Sequence, residues 1–201
     1  MTLTHNIEIC KKCISLTSDN RLKIDNKPYV KFQVETKWKP KTGIKVLFIA
    51  ESPPWNGNQR YFYHEIDEKR TNLRKEVLRH LNLKNLKEFK EEGYFLIDAI
   101  KCRINKKGKK KVPKQALKDC SDQFLMKEIT NLKPQTIFVL GKSAKQALQQ
   151  HPEFLNLQNH KVTEDYDNTL SKYRIILSIY PGGQTRIYES KIKNDFSKII
   201  L

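Results

Sequence analysis

The chain has 201 residues, which is enough for one α/β domain with a full hydrophobic core. Its 39 lysines and arginines outnumber 22 aspartates and glutamates, and the net charge of +17 favours a polyanionic partner, most simply nucleic acid. A general excess of lysine would give the same charge. There is neither an apolar run long enough to span a bilayer nor the apolar stretch of a secretory signal near the N-terminus, so we expect a cytoplasmic protein and no membrane partner.

Short apolar segments alternate with helical patterns along the chain. Runs rich in β-branched residues, typical of buried strands in a parallel sheet, occupy residues 45–50, 94–100, 136–140 and 174–179. Apolar residues recur at helical spacing in residues 68–81, 86–92, 113–132, 144–150 and 189–201, whereas residues 151–172 are polar and are predicted to be irregular. The alternation predicts a three-layer α/β/α sandwich with a central four-stranded parallel sheet. We expect one domain over residues 1–201, with residues 1–40 as an N-terminal segment.

The first two predicted strands carry an acid at or near their ends. Glu51 directly follows the run IKVLFIA, and Asp98 lies within YFLIDAI. Because the carboxyl ends of parallel strands face the ligand crevice of such folds, both acids are candidates for chemistry. The alternative for Glu51 is that it only caps a turn.

Four cysteines form a second candidate site. Cys10 and Cys13 make a CxxC pair, and Cys102 and Cys120 follow in the second half of the predicted fold. Two thiolates on one tight turn can chelate a metal, so the set suits either a structural zinc or a [4Fe–4S] cluster. The alternative is that Cys102 and Cys120 are unrelated buried thiols.

Several motifs together resemble one family, the iron–sulfur-containing (family 4) uracil-DNA glycosylases. FIAESPP resembles the family's Gly-Glu-Ala-Pro-Gly motif, IDAIKCR its strand ending in Lys-Cys-Arg, and IFVLGKSAKQAL its third strand and following helix. YPGGQTR resembles its His-Pro-Ser motif. The resemblance covers most of the chain in the right order and implies a cluster held by Cys10, Cys13, Cys102 and Cys120.

The resemblance also implies roles for single residues in base release. Glu51 would orient the attacking water and offset positive charge on the sugar, and Phe62 would stack on a base flipped out of the helix. Tyr61 or Tyr63 could take the stacking role instead, and the alternative for Phe62 is packing under the loop.

Two positions depart from the family pattern. Asp98 replaces the asparagine that reads uracil, and an ionised aspartate can only accept hydrogen bonds. It would repel O4 of uracil and accept the exocyclic amine of cytosine, which predicts a cytosine-type or modified base, as in foreign or phage DNA. A protonated Asp98 or a structural role for it are the alternatives. Tyr180 replaces the histidine that donates to the leaving base, and its hydroxyl can donate as well.

DNA contacts are expected from Arg186 and a lysine-rich loop. The loop residues proposed to contact phosphate are Lys106, Lys107, Lys109 and Lys110. A monomeric DNA glycosylase is the reading that these features favour. A uracil-specific repair enzyme, a DNA-binding protein without turnover and, less strongly, a Mg²⁺-dependent nuclease remain alternatives.

Overall fold

A computed structural model of the chain describes residues 3–18, 22–23, 27–55, 60–106, 112–170, 172–182 and 186–200. Its helices and strands, in chain order, are α1 (Leu3–Ile9), α2 (Ser15–Ser18), β1 (Leu22–Lys23), α3 (Pro28–Lys31), α4 (Val34–Trp38), β2 (Val46–Ala50), α5 (Asn72–His80), α6 (Leu86–Glu91), β3 (Tyr94–Asp98), β4 (Arg103–Ile104), α7 (Lys114–Cys120), α8 (Met126–Leu132), β5 (Thr136–Leu140), α9 (Lys142–Leu148), β6 (Tyr166–Leu170), β7 (Tyr173–Ser178) and α10 (Glu189–Ile200). None of the helices in these ranges has the length and apolar composition needed to cross a bilayer.

The central sheet has the spatial order β3-β2-β5-β7-β6. Its first four strands are parallel and lie in register, since Ile49 pairs with Ile97 and Val139, and Val139 pairs with Leu177. Every side chain of β2, β3 and β5 is buried, which explains their continuous apolar runs. The carboxyl ends of four strands therefore meet along one edge of the sheet, which is where a ligand crevice forms in this architecture.

Helices cover both faces of the sheet, as predicted. The ring of Phe48 on β2 packs against Phe89 of α6 and Phe196 of α10, at centroid distances of 5.6 and 6.0 Å. The connections from β3 to β5 and from β5 to β7 run in the opposite direction along the sheet, so right-handed crossovers place α7 and α8, and then α9, on the other face.

The predicted count of four strands is wrong, because β6 adds a fifth strand antiparallel to β7. This strand lies within the stretch 151–172 that was predicted to be irregular, as does a 3₁₀-helix at Pro152–Asn159. An edge strand pairs on one side only and can face water, and three of the five side chains of β6 are exposed. It therefore lacks the apolar run that reveals a buried strand.

Two helical boundaries also differ from the prediction. The helix expected over residues 113–132 contains a π-helical segment, Ser121–Leu125, between α7 and α8. The helix expected from residue 68 begins at Asn72, because the Thr71 side chain accepts a hydrogen bond from the Arg74 N–H and caps it.

Candidate active site at the carboxyl ends of the strands

A cavity of about 690 Å³ opens at the edge where the parallel strands end. Glu51 after β2, Asp98 at the end of β3, Gly141 after β5 and Tyr180 after β7 all line it. Four neighbouring strands thus contribute to one cavity, and three of the four residues that were predicted for catalysis or base binding, Glu51, Asp98 and Tyr180, reach it from different strands.

Both carboxylate oxygens of Glu51 have a partner. The Ser143 hydroxyl donates to Oε2 at 2.5 Å, and Lys106 Nζ lies 2.6 Å from Oε1. Ser143 is in the first turn of α9, so the turn after β5 brings it to the acid after β2. The Glu51 side chain is 20% exposed, so it is fixed in direction while remaining accessible from the cavity. This arrangement suits an acid that orients water, rather than one that only caps a turn.

Asp98 is buried on the central sheet, with 5% of its surface exposed. The pKa of its carboxyl is raised to about 7, mainly by burial and also by the charge of Glu128, while Lys101, Arg103 and a hydrogen bond from the Tyr61 hydroxyl act to lower it. The carboxyl therefore exists in both protonation states near neutral pH. It can act as an acceptor only or as a donor and acceptor, depending on pH.

Tyr180 lines the same cavity as the two acids, close enough for the charges of both to act on it. Burial, followed by the charges of Asp98 and Glu51, raises the pKa of its phenol to about 12, so the hydroxyl stays protonated at neutral pH. Two glycines confine the residue: a Cβ on Gly141 would lie 3.2 Å from Tyr180 Cβ, and a Cβ on Gly182 only 2.4 Å from Tyr180 Cε1. Any side chain at position 141 or 182 would therefore take up part of the space that Tyr180 fills.

The predicted aromatic cluster contributes two rings to the cavity wall. Tyr61 and Phe62 line the cavity, but the ring of Phe62 also packs against Tyr63 and Phe89, at 4.9 and 5.4 Å, and only 2% of the residue is exposed. The Tyr63 hydroxyl is bound to the backbone of Leu96 instead. Stacking by Phe62 stays a prediction, and the cavity wall does not include Tyr63.

Of the predicted DNA contacts, the structure describes the side chain of Lys106 alone, and it pairs with Glu51. Lys107, Lys109 and Lys110 lie outside the described residues. Arg186 begins a 3₁₀-helix, Arg186–Tyr188, beyond the cavity residue Tyr180, and only its backbone is described.

The four cysteines lie in one region between α1, the end of β3 and α7. Cys13 is influenced by the charges of Cys120 and Cys102, and Cys120 by that of Cys10. Burial and these neighbours raise the pKa of Cys13 well above its usual range and that of Cys120 to about 11. Among the described residues, however, no group of three or more His, Cys, Asp and Glu side chains is arranged as the ligands of one metal ion.

A buried ion pair lies between the cysteines and the cavity. Lys101 Nζ is 2.5 Å from Glu128 Oε2 and donates to the backbone carbonyl of Asp98 at 2.5 Å, and both partners of the pair are at most 2% exposed. Neither this pair nor Ser143 was predicted from the sequence. The only signals were a lysine beside Cys102 and a serine in the turn after the third predicted strand.

An α/β/α fold with a mainly parallel sheet, and with two acids and a neutral phenol around one strand-end cavity, is typical of proteins that bind a ligand at this edge of the sheet. Residues 38–200 match the family model of the Uracil DNA glycosylase superfamily. Because the match covers most of the chain, the protein belongs to this superfamily, which implies a DNA-binding hydrolase that cleaves N-glycosyl bonds. The matched range does not include Cys10 and Cys13. No curated protein matches the chain significantly.

Proposed function

We propose that the protein is a DNA glycosylase that removes a cytosine-type or modified cytosine base rather than uracil. The observation that carries this proposal is the buried Asp98 carboxyl on the cavity wall, which is close enough to Tyr180 for its charge to raise the pKa of the phenol. An ionised carboxylate there accepts the exocyclic amine of a cytosine-type base and repels the O4 oxygen of uracil. Uracil remains the alternative substrate through the protonated form of Asp98.

Each cavity residue then has a distinct part in breaking the C1′–N1 bond. Glu51, held by Ser143, orients a water toward C1′ and offsets the positive charge that develops on the sugar. The departing base retains the electron pair of the broken bond at N1. Tyr180 donates a hydrogen bond to the base oxygen beside N1. Its raised pKa keeps the phenol a donor throughout.

Base release from a panel of oligonucleotides tests this function. Each DNA would carry one uracil, cytosine or modified cytosine, and alkaline cleavage would reveal abasic sites. Glu51→Gln should abolish abasic-site formation, whereas Glu91→Gln should not, because Glu91 is an exposed residue at the end of α6. Brisk release of uracil with no release of any cytosine-type base would contradict the proposed specificity.

A DNA-binding protein without turnover is the second candidate. The observation that favours it is the pairing of Glu51 with Lys106, since a lysine on the catalytic acid opposes its role with water. In a pure binder, Glu51→Gln would change no product and base release would be absent from every DNA in the panel.

We also propose that Cys10, Cys13, Cys102 and Cys120 hold a [4Fe–4S] cluster, with zinc as the alternative. The donor set fits either group: the four thiols lie in one region, three of them are buried, and the charges of neighbouring cysteines help to raise the pKa of Cys13 and of Cys120. Gln123 adds a buried amide nitrogen that has no hydrogen-bond partner among the described residues, and its side-chain oxygen accepts from the Cys10 thiol. The bound group would connect the N-terminal segment to α7. Iron and sulfide analysis of the purified protein, with zinc measured in parallel, separates the two.

Contact with DNA is proposed to run through Lys106, which lines the cavity, and through further basic residues of the chain. Lys106 would exchange its partner Glu51 for a phosphate when DNA binds, together with Lys107, Lys109, Lys110 and Arg186. Removing several of these charges should flatten the dependence of binding on salt, because each phosphate contact releases counterions.

A further inference from the structure

The proposed mechanism leaves the buried pair of Lys101 and Glu128 without a role. Lys101 Nζ lies 2.5 Å from Glu128 Oε2, and the two side chains are 2% and 0% exposed. Removing two charges from water is costly, and apolar residues of similar size often stabilise a protein core as well as a buried ion pair does. Stability alone therefore does not explain why the pair is present.

Lys101 also contacts the residue that is proposed to read the base. Its Nζ donates to the Asp98 backbone carbonyl at 2.5 Å. On the side of the neighbouring strand, the Ile100 N–H donates to the Glu51 carbonyl at 3.0 Å. The backbone at the end of β3 is thus fixed both by the ammonium group and by the chain that carries the catalytic acid.

Three elements of the fold enclose the Lys101 ammonium. Glu128 belongs to α8, Asp98 ends β3, and the ring centroid of the buried Tyr29, in α3, lies 5.6 Å from Nζ. Charges that are shielded from water act more strongly on one another than charges at the surface do. The Asp98 carboxyl, which is 5% exposed, is itself shielded in this way.

The two partners of the pair act on the Asp98 carboxyl with opposite signs. The titratable and charged groups that influence this carboxyl, or are influenced by it, are Lys101, Arg103, Glu128, Tyr61, Tyr63 and Tyr180. Among the charged groups, Lys101 lowers the pKa of Asp98 most strongly, whereas Glu128 raises it.

We propose that Lys101 and Glu128 are positioning residues that determine base selectivity, because they hold Asp98 at the cavity wall and control the charge with which it meets the base. This inference rests on the proposed glycosylase function and deepens it. An ionised Asp98 selects an exocyclic amine, and a protonated one accommodates a carbonyl oxygen. Loss of either charge of the pair should therefore change which base is preferred.

The test measures the ratio of kcat/KM for the cytosine-type base to that for uracil. Lys101→Met should raise the pKa of Asp98, and a rise of one in this pKa would lower the ratio about tenfold. Glu128→Gln should change the ratio in the opposite direction. Lys145→Met is the matched control, because Lys145 is also buried and donates to a backbone carbonyl, that of His160, but does not line the cavity. It should leave the ratio unchanged.

A double variant keeps the test open if a single change prevents folding. Lys101→Met/Glu128→Leu replaces the pair by apolar side chains, a change that buried ion pairs often tolerate. The ratio should fall in this variant too, because the charge of Lys101 acts more strongly on Asp98 than that of Glu128. A pair with only a structural role would alter thermal stability in these variants without moving the ratio.

Carbon-13 NMR separates failure of this inference from failure of the proposed function. In aspartate-labelled protein the carboxyl signal of Asp98, identified by its loss in Asp98→Asn, titrates without DNA. Where no base is released, preference is measured as relative affinity for oligonucleotides with a 2′-fluorinated sugar, which resist cleavage. Opposite shifts of the titration midpoint in Lys101→Met and Glu128→Gln, followed by the base preference, support the inference even without turnover. Midpoints that move together or not at all, or a preference that does not follow them, would overturn it.

Discussion

Asp98 should make both base selectivity and stability depend on pH near neutrality. Its carboxyl is buried, and its pKa lies at about 7 instead of the ordinary 3.8. Lys101 and Arg103 face it and favour the charged form, whereas Glu128 opposes that form. With this pKa, about one carboxyl in ten is ionised at pH 6 and about nine in ten at pH 8.

The effect on selectivity follows from the ionised fraction. If the ionised form accepts the exocyclic amine, kcat/KM for the cytosine-type base should rise about tenfold from pH 6 to pH 8. Uracil, which needs the protonated form, should show the opposite trend. Asp98→Asn should abolish the trend and favour uracil, because the amide both donates and accepts.

The effect on stability has the opposite sign to that of a carboxylate in an ordinary surface ion pair. The pKa of Asp98 is higher in the folded protein than in the unfolded chain, so its protonated form stabilises the fold. This stabilisation is lost as the pH rises through 7. Each unit of pKa corresponds to about 1.4 kcal/mol, so the free energy of unfolding should fall by about 3 kcal/mol between pH 5 and pH 8 from this group. Asp98→Asn should remove that decrease.

Urea unfolding at pH 5, 6, 7 and 8, with base release measured at pH 6, 7 and 8, checks both effects in one series of buffers. The comparison is the wild type minus Asp98→Asn at each pH, which cancels the titration of other groups. A difference in stability that stays constant over this range, or selectivity that does not change with pH, would refute the assignment of a raised pKa and a base-reading role to Asp98.

Three further changes probe the groups around the reacting centre. Ser143→Ala should lower turnover about tenfold with little change in DNA affinity, because one hydrogen bond that orients Glu51 is lost; equal losses in turnover and affinity would contradict this. Gly182→Ala should reduce base release as strongly as Tyr180→Phe, since the added Cβ would lie 2.4 Å from the Tyr180 ring, and unchanged kinetics would show that the ring is not confined. Glu128→Gln should destabilise the fold by about 3–5 kcal/mol in urea unfolding, because it leaves a buried lysine without its counter-charge, and a loss below about 1 kcal/mol would show that the pair is not needed.

A serine elsewhere in the fold provides the control for the first of these changes. Ser197 lies in α10, is exposed, and donates only to the Asn194 carbonyl of its own helix. Ser197→Ala should therefore leave turnover and DNA affinity at the wild-type level.

The sequence by itself determined the four parallel strands and the acids at their ends. A strand buried on both faces needs a continuous apolar run, and such runs are local patterns that can be read without knowing their neighbours. Glu51 stands out because it ends the run Val46–Ala50. Asp98 was a candidate because it lies near the end of the neighbouring run, and the family resemblance implied that it reads the base.

The tertiary structure alone decided the partners of these groups. Glu51 meets Ser143 and Lys106, which are 92 and 55 positions away in the chain, through the register of β2 beside β5 and the return of the chain after β4. The edge strand β6 carries polar residues and so has no apolar signal. The difference between Tyr61 and Tyr63, two residues of one type and equal burial, depends on which hydroxyl reaches the Leu96 backbone. Such differences arise from contacts between distant segments, which no local pattern encodes.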